Sequence, residues 1–152
     1  MIKKHGWLIV ILIFVLFTIS CGVFFNSKII DSRNLLLLNW GLTFPPELQL
    51  EHTFATSTSP HGEVYRIYVF LYDDVDAITN YYQGQFSDSM GILESTYIED
   101  VQKMISLEKP MNETFQFPQT TKCQWYKSGR RKLLFVWDEL SKRAVFFEGL
   151  GY

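Results

Sequence analysis

The feature that most constrains this chain is a run of 19 residues without a formal charge, Trp7–Phe25. As an α-helix this run would be about 28 Å long, close to the ~30 Å hydrocarbon thickness of a bilayer. The basic segment Lys3–His5 precedes it and favours a cytoplasmic N-terminus with an exported body. We therefore expect a membrane-targeting leader over residues 1–28 and a single extracytoplasmic domain over residues 29–152.

Cys21 leaves three outcomes open for this leader. An uncleaved signal anchor is favoured by Gly22–Phe25, which continue the apolar run beyond the cysteine. A bacterial lipoprotein is indicated by "TISC" (Thr18–Cys21), which resembles a lipobox and makes Cys21 a lipidation candidate, although Thr18 stands where that pattern prefers Leu. The third outcome is ordinary signal cleavage near Ser20. The expected location is the cell membrane, with the body outside, held by one spanning helix or by a lipid on Cys21.

The charge distribution argues against a nucleic-acid partner. The chain has 14 Lys and Arg and 16 Asp and Glu residues, a formal net charge of −2. Residues 29–121 hold 13 acids and 4 bases, whereas residues 122–152 hold 7 bases and 3 acids. Nucleic-acid-binding domains are usually strongly basic. We therefore expect no nucleic-acid partner, and we expect the basic C-terminal segment to pair with the acidic middle within the fold.

The patterning of the body predicts an α+β fold. Apolar spacing and capping residues predict helices over Ile30–Trp40, about residues 73–84, and Gly91–Leu107. Alternation and turn residues predict strands over Leu48–Thr56, Glu63–Tyr72, Thr114–Phe117, Lys122–Tyr126, Arg131–Trp137 and Arg143–Gly149. The economical arrangement is an antiparallel sheet of about four to five strands, packed by two or three helices that lie on one face.

Two stretches, "LLLLNWGLTFPPELQL" and "HGEVYRIYVFLY", follow the leader as a short helix, a proline-bounded strand and a turn with a glycine. With the Lys-Lys start, this layout resembles small uncharacterised envelope proteins of bacteria that are membrane-anchored or lipoprotein-like. The resemblance implies a compact domain at the cell envelope. It carries no functional residue over to this chain.

The sequence contains none of the spacing signatures GxSxG, GxGxxG, Walker A, HExxH or CxxC. His52 and His61 flank a predicted turn near Glu63, but an incidental role is the simpler interpretation. The segment "DDVDAITN" lacks the glycine and the final glutamate of a calcium loop. Cys123 is expected to be a small buried residue on a strand. We therefore predict no catalytic, metal or cofactor-binding residues and no cofactor.

One local motif stands out as a candidate contact surface. "YKSGRRK" is a predicted hairpin tip with four basic residues in seven, and Ser128-Gly129 forms its turn. Its residues are suited to an anionic lipid headgroup, an anionic envelope polymer or an acidic partner, since basic side chains are attracted to anionic surfaces. The simpler interpretation is a solvated tip with charges that protect the hairpin edge. The candidate residues are Trp125, Tyr126, Lys127, Arg130, Arg131 and Lys132.

These features predict a non-catalytic, membrane-tethered protein that binds another component of the envelope. The alternative is an accessory or immunity-type protein that inhibits a toxin or an enzyme by surface complementarity. A hydrolase with dispersed carboxylates is a third class, which would require a concave pocket with perturbed carboxylates.

Overall fold

The computed structural model describes residues 32–57, 62–74, 78, 81 and 88–151. The leader with Cys21, and most of the helix predicted over residues 73–84, lie outside the described residues. The described part forms a six-stranded sheet and two helices. The strands are β1 (Gln49–Ala55), β2 (Val64–Leu71), β3 (Asp88–Ser89), β4 (Lys122–Ser128), β5 (Arg131–Asp138) and β6 (Arg143–Leu150); the helices are α1 (Ser32–Trp40) and α2 (Ile92–Glu108).

The sheet has the strand order β1-β2-β6-β5-β4-β3, and every neighbouring pair is antiparallel. The α+β class and the antiparallel sheet are thus confirmed, with five long strands and the two-residue β3 at one edge. The last strand in the chain, β6, lies between β2 and β5. Because both neighbours cover its edges, β6 is deep within the sheet, and its residues Ala144–Leu150 are all buried.

The helices cover opposite faces of the sheet, so the expectation that they share one face is wrong. Residues such as Phe135 and Phe146 point to one face, where they form a core with Leu36 of α1. Their neighbours Leu134 and Phe147 point to the other face and pack against α2. Because β5 and β6 carry apolar side chains on both faces, each face of the sheet must pack against a different element to be shielded from solvent. We call these the α1 face and the α2 face.

Helix α1 forms where the sequence predicts it. Its Leu36 is buried in the core, and Gly41 directly after it has a φ of 67°. The Gly41 amide donates to the Leu37 carbonyl across 2.8 Å, which ends the helix in the left-handed conformation that glycine adopts readily. At the other end, Ser32 Oγ lies 3.1 Å from Thr53 Oγ1 in β1. The burial of Leu36 and the Ser32–Thr53 contact hold α1 on its face of the sheet.

Helix α2 begins at Ile92 and ends at Glu108, so each end lies one residue later than in the predicted span Gly91–Leu107. Glu94 Oε2 accepts from the Gly91 amide across 2.9 Å, which caps the first turn. The buried face of the helix consists of Ile98, Val101, Gln102 and Ile105. Val101 and Ile105 belong to the apolar spacing that predicts the helix, whereas Ile92 and Leu93 at its start are exposed and the polar Gln102 is buried.

The strand predicted over Thr114–Phe117 does not form. Instead, the backbone of Phe115 pairs with a side chain: its amide donates to Gln102 Oε1 across 2.5 Å, and its carbonyl accepts from Gln102 Nε2 across 3.0 Å. The Gln102 amide therefore takes the place of a neighbouring strand. Cys123, by contrast, lies buried on β4 as predicted.

Candidate binding surface

The predicted hairpin tip joins β4 to β5 through a two-residue turn, Gly129-Arg130. Lys127 pairs with Lys132, and Ser128 pairs with Arg131. Gly129 has a φ of 62°, which is the conformation that a two-residue hairpin turn with glycine in first place requires. The prediction of a hairpin in this segment is confirmed, but the turn is not Ser128-Gly129 as predicted, because Ser128 still pairs with Arg131 as the last residue of β4. The register fixes which side chains share a face.

The six candidate residues do not form one surface. Because side chains alternate along a strand, the hairpin sends them to both faces. Trp125, Lys127 and Lys132 lie on the α2 face, beside the residues that pack on α2. Tyr126 and Arg131 lie on the α1 face, and Arg130 is in the turn. The candidate surface therefore separates into two parts with different surroundings.

On the α1 face, both residues contact the body of the protein. The Arg131 guanidinium lies 5.3 Å from the centre of the Trp40 ring, and its Nη2 is 3.4 Å from the Asn39 carbonyl. The Tyr126 ring packs against the α1-face core, and burial raises the pKa of its hydroxyl. This pair links the hairpin to the C-terminal end of α1.

On the α2 face, aromatic rings and lysines lie side by side. The Trp125 and Tyr97 rings have centres 4.9 Å apart, and Lys127 Nζ lies 5.3 Å from the Trp125 ring centre. Trp125 Nε1 donates to Glu94 Oε1 across 2.8 Å. This hydrogen bond, helped by the nearby Lys127 charge, lowers the pKa of Glu94 despite the opposing effect of burial. The Glu94 carboxylate is therefore already engaged in hydrogen bonds within the protein.

Two shallow cavities meet at Tyr97. The first, of about 220 Å³, is lined by Glu63, Tyr65, Tyr97, Arg130 and Lys132 among others. The second, of about 170 Å³, is lined by Leu93, Tyr97, Asp100, Trp125, Lys127 and Lys132 among others. Tyr97 and Lys132 are common to both. We call Tyr65, Tyr97, Trp125, Lys127 and Lys132 the aromatic–basic surface.

The electrostatics of this surface are unusual in one respect. Lys127 and Lys132 are paired directly across β4 and β5, and like charges in that position destabilise a sheet. One acid also lines each cavity, and these acids, Glu63 and Asp100, add to the effect of burial in raising the pKa of the Tyr65 hydroxyl. An anionic group between the two lysines would offset their repulsion, and the rings would contact the less polar parts of the same ligand.

Sequence reasoning missed the most buried charged group, Glu148 of β6. Its carboxylate has no exposed area and accepts four hydrogen bonds. The donors are Asn39 Nδ2 at 3.1 Å and Trp40 Nε1 at 2.6 Å on Oε1, and Arg66 Nη1 at 3.0 Å and Tyr68 OH at 3.1 Å on Oε2. A buried carboxylate with this many donors is satisfied by the protein itself. We interpret it as a structural anchor.

The network around Glu148 changes the titration of its partners. Burial, followed by the charge of Glu148, raises the pKa of Tyr68 far above its usual value. The pKa of Arg66 is also raised, because Tyr68 and Glu148 outweigh the lowering effect of burial. Tyr68 therefore stays protonated and Arg66 charged. Neither group is set up to exchange a proton near neutral pH.

The metal sites considered from the sequence are not assembled in the part of the chain that the structure describes. His52 lies near Glu51 and Glu113, with Nε2 to carboxylate distances of 3.7 and 4.0 Å, rather than near Glu63. Both glutamates are paired with Arg143, which contacts Glu51 in bidentate fashion. His61 and most of "DDVDAITN" lie outside the described residues. Among those described, no group of three His, Cys, Asp or Glu residues converges as metal ligands.

The comparisons add no relative. No protein-family model, no curated protein and no solved structure matches the chain. The resemblance to small bacterial envelope proteins therefore stays an expectation. Neither helix of the described residues is long and apolar enough to cross a membrane, and the run Trp7–Phe25 lies outside them. The surface geometry is thus the main basis for a functional proposal.

Proposed function

We propose that this chain is a membrane-tethered extracytoplasmic protein that binds a linear anionic polymer of the cell envelope without catalysing a reaction on it. The observation that carries the proposal is the direct cross-strand pairing of Lys127 with Lys132 beside the Trp125 and Tyr97 rings. Two neighbouring lysines, one of which has its ammonium group over the Trp125 ring, are suited to an anion attached to a less polar chain.

The shape of the surface favours a linear ligand. The two cavities are shallow and meet at Tyr97, and Lys132 lines both. A chain of repeating anionic units would cross Tyr97 and place successive units in the two cavities. A small, fully enclosed ligand would instead need a single deeper pocket, which is the usual form of small-molecule sites.

The test of binding uses the full chain in detergent and poly(glycerol phosphate) as the probe. We expect Lys127→Gln/Lys132→Gln to raise the Kd at least about tenfold, which corresponds to losing one modest charge interaction. The matched control is Lys103→Gln/Lys109→Gln, which removes the same charge from exposed lysines that line neither cavity. Binding should also weaken with salt, as exposed charge interactions do. Equal Kd values for the two double variants would contradict the proposal.

The tether is tested separately, by fractionating cells that carry the wild type or Cys21→Ala with lipid labelling and a size readout. Label that disappears in Cys21→Ala supports lipidation at Cys21. Unlabelled protein of full size in the membrane supports an anchor formed by Trp7–Phe25. A soluble cytoplasmic protein would contradict both forms of the tether.

One observation favours the second candidate, an accessory or immunity-type inhibitor of a toxin or enzyme. Ile92 and Leu93, in the first turn of α2, are both exposed, and Leu93 lines the cavity beside Trp125. Exposed apolar residues next to an aromatic ring are typical of a protein-binding surface. Ile92→Ser should abolish binding to a protein partner and leave binding of poly(glycerol phosphate) nearly unchanged, because Ile92 lines neither cavity, which separates the two candidates.

A further inference from the structure

Helix α1 exposes an uncharged, leucine-rich stripe to solvent. Leu36 is buried in the core, but Leu37 and Leu38 have relative exposures of 44% and 77%. Asn34, one turn earlier, is also exposed. Helices on the surface of a soluble domain normally turn charged or polar residues outward. In α1 the outward residues are instead two leucines and an asparagine.

The position of α1 in the chain brings this stripe close to the membrane if Trp7–Phe25 is held there. Six residues separate Phe25 from Ser32, the first residue of α1. Even a fully extended connection of this length spans only about 25 Å. Helix α1 therefore begins within that distance of the membrane surface.

A positive charge lies at the C-terminal end of the same helix. Arg131 stacks over Trp40 and is partly exposed. An arginine and a tryptophan on the helix that carries exposed leucines form the combination found at membrane interfaces, where cations meet anionic headgroups and apolar side chains reach the acyl boundary.

We propose that α1 lies on the outer surface of the membrane, with Leu37 and Leu38 at the boundary between headgroups and acyl chains. The inference rests on the tether in the proposed function, because two leucines alone would not hold a protein on a bilayer. A tether keeps the stripe at a high local concentration near the membrane, so a weak contact is sufficient to set the orientation.

This orientation has a direct consequence for the aromatic–basic surface. Helices α1 and α2 cover opposite faces of the sheet. If the α1 face lies on the bilayer, the α2 face with Lys127 and Lys132 points away from it. The ligand of that surface would then be a polymer that extends from the membrane, and the lipid headgroups themselves would be out of reach.

The test places a polarity-sensitive fluorophore on the full chain in nanodiscs that contain anionic phosphatidylglycerol. Leu38→Cys carries the label in a Cys21→Ala background, where the remaining Cys123 is buried. The matched control is Leu107→Cys, which lies in the last turn of α2 on the opposite face and is 72% exposed. The fluorophore at position 38 should emit at shorter wavelength and be quenched by doxyl lipids, whereas the one at position 107 should be quenched by aqueous iodide.

The outcomes separate this inference from the tether. If the chain co-floats with the discs but iodide quenches both positions equally, the orientation is wrong and the tether stands. If the wild-type chain, with Cys21 intact, does not co-float with lipid, the tether fails, and the orientation fails with it. Doxyl quenching at both positions would also overturn the proposal, since it would show no preferred face.

Discussion

Trp40 at the end of α1 donates its indole N–H to Glu148 in the central strand β6 across 2.6 Å, although 108 residues separate the two in the chain. The accepting carboxylate has no exposed area. Taking a carboxylate out of water is costly unless donors replace the lost water. The contact therefore has two effects. It attaches α1 to the sheet, and it supplies one of the four hydrogen bonds that stabilise the buried carboxylate.

The first prediction concerns this hydrogen bond. Trp40→Phe keeps an aromatic ring of similar shape but removes the donor. We expect the free energy of unfolding to fall by about 1.5–3 kcal/mol, the usual contribution of a hydrogen bond to a charged group. Urea denaturation followed by circular dichroism measures the change. Glu148→Gln should cost more, because it also leaves Arg66 without its anionic partner.

Trp125→Phe is the matched control for Trp40→Phe. Trp125 also donates to a glutamate, Glu94, across 2.8 Å, but both residues are partly exposed. An exposed charge interaction contributes little, so the loss should be at most about 1 kcal/mol. Equal losses for the two tryptophan variants would show that burial of Glu148 does not strengthen its hydrogen bonds.

The second prediction concerns the close packing of Gly149 against α2. A Cβ atom at this position would lie 2.9 Å from the Tyr97 hydroxyl, which donates to the Lys132 carbonyl across 3.2 Å. Gly149→Ala should therefore destabilise the protein by about 1–3 kcal/mol, the usual cost of overpacking. The loss is measured by denaturation with and without Tyr97→Phe.

In the Tyr97→Phe background the clashing hydroxyl is absent, so Gly149→Ala should cost clearly less there. Gly151→Ala serves as the positional control, because its nearest neighbour would be 3.7 Å away, an ordinary contact distance. If Gly149→Ala costs the same in both backgrounds, the hydroxyl is not the source of the strain and the interpretation of this contact is wrong.

Much of the fold follows from local signals in the sequence. Helix α1 with its glycine cap at Gly41, helix α2, and the three C-terminal strands lie within one to three residues of their predicted bounds. These elements have strong periodicity and turn residues of clear conformational preference, which act over a few neighbouring positions. The short β3 has no such signal, since its two residues are a strand only because they pair with β4.

Features that depend on topology could not be predicted in the same way. Glu148 follows four consecutive apolar residues near the end of β6, where an acid is expected to be solvated, but its four donors come from α1 and β2. The division of the hairpin residues between two faces, by contrast, follows from the sequence. Tyr126 and Lys127 are neighbours on a strand, so their side chains must point to opposite sides of the sheet. An interpretation of the hairpin as one charged surface does not take this alternation into account.

The third prediction concerns Gln102, which pairs with the backbone of Phe115 in place of a strand. Gln102→Leu fills a similar volume but leaves the Phe115 amide and carbonyl without partners. We expect a loss of about 1–3 kcal/mol, the cost of unsatisfied buried groups. Hydrogen exchange at Phe115 should become faster, while exchange in β6 changes only with global stability. Unchanged exchange at Phe115 would contradict the role assigned to Gln102.

The fourth prediction is a loss of stability at high pH through Tyr72. Burial raises the pKa of its hydroxyl to about 12, and the hydroxyl donates to the Asp138 carbonyl across 3.0 Å. In the unfolded chain the pKa is about 10. The folded state therefore holds the proton more tightly: this contribution is complete below pH ~10 and is lost as the pH rises toward 12. Urea denaturation at steps from pH 8.5 to 12 should show the decline, and Tyr72→Phe should make it less steep without abolishing it, because buried Tyr68 also holds its proton more tightly in the folded state. Parallel curves for the two proteins would rule out Tyr72 as the group responsible.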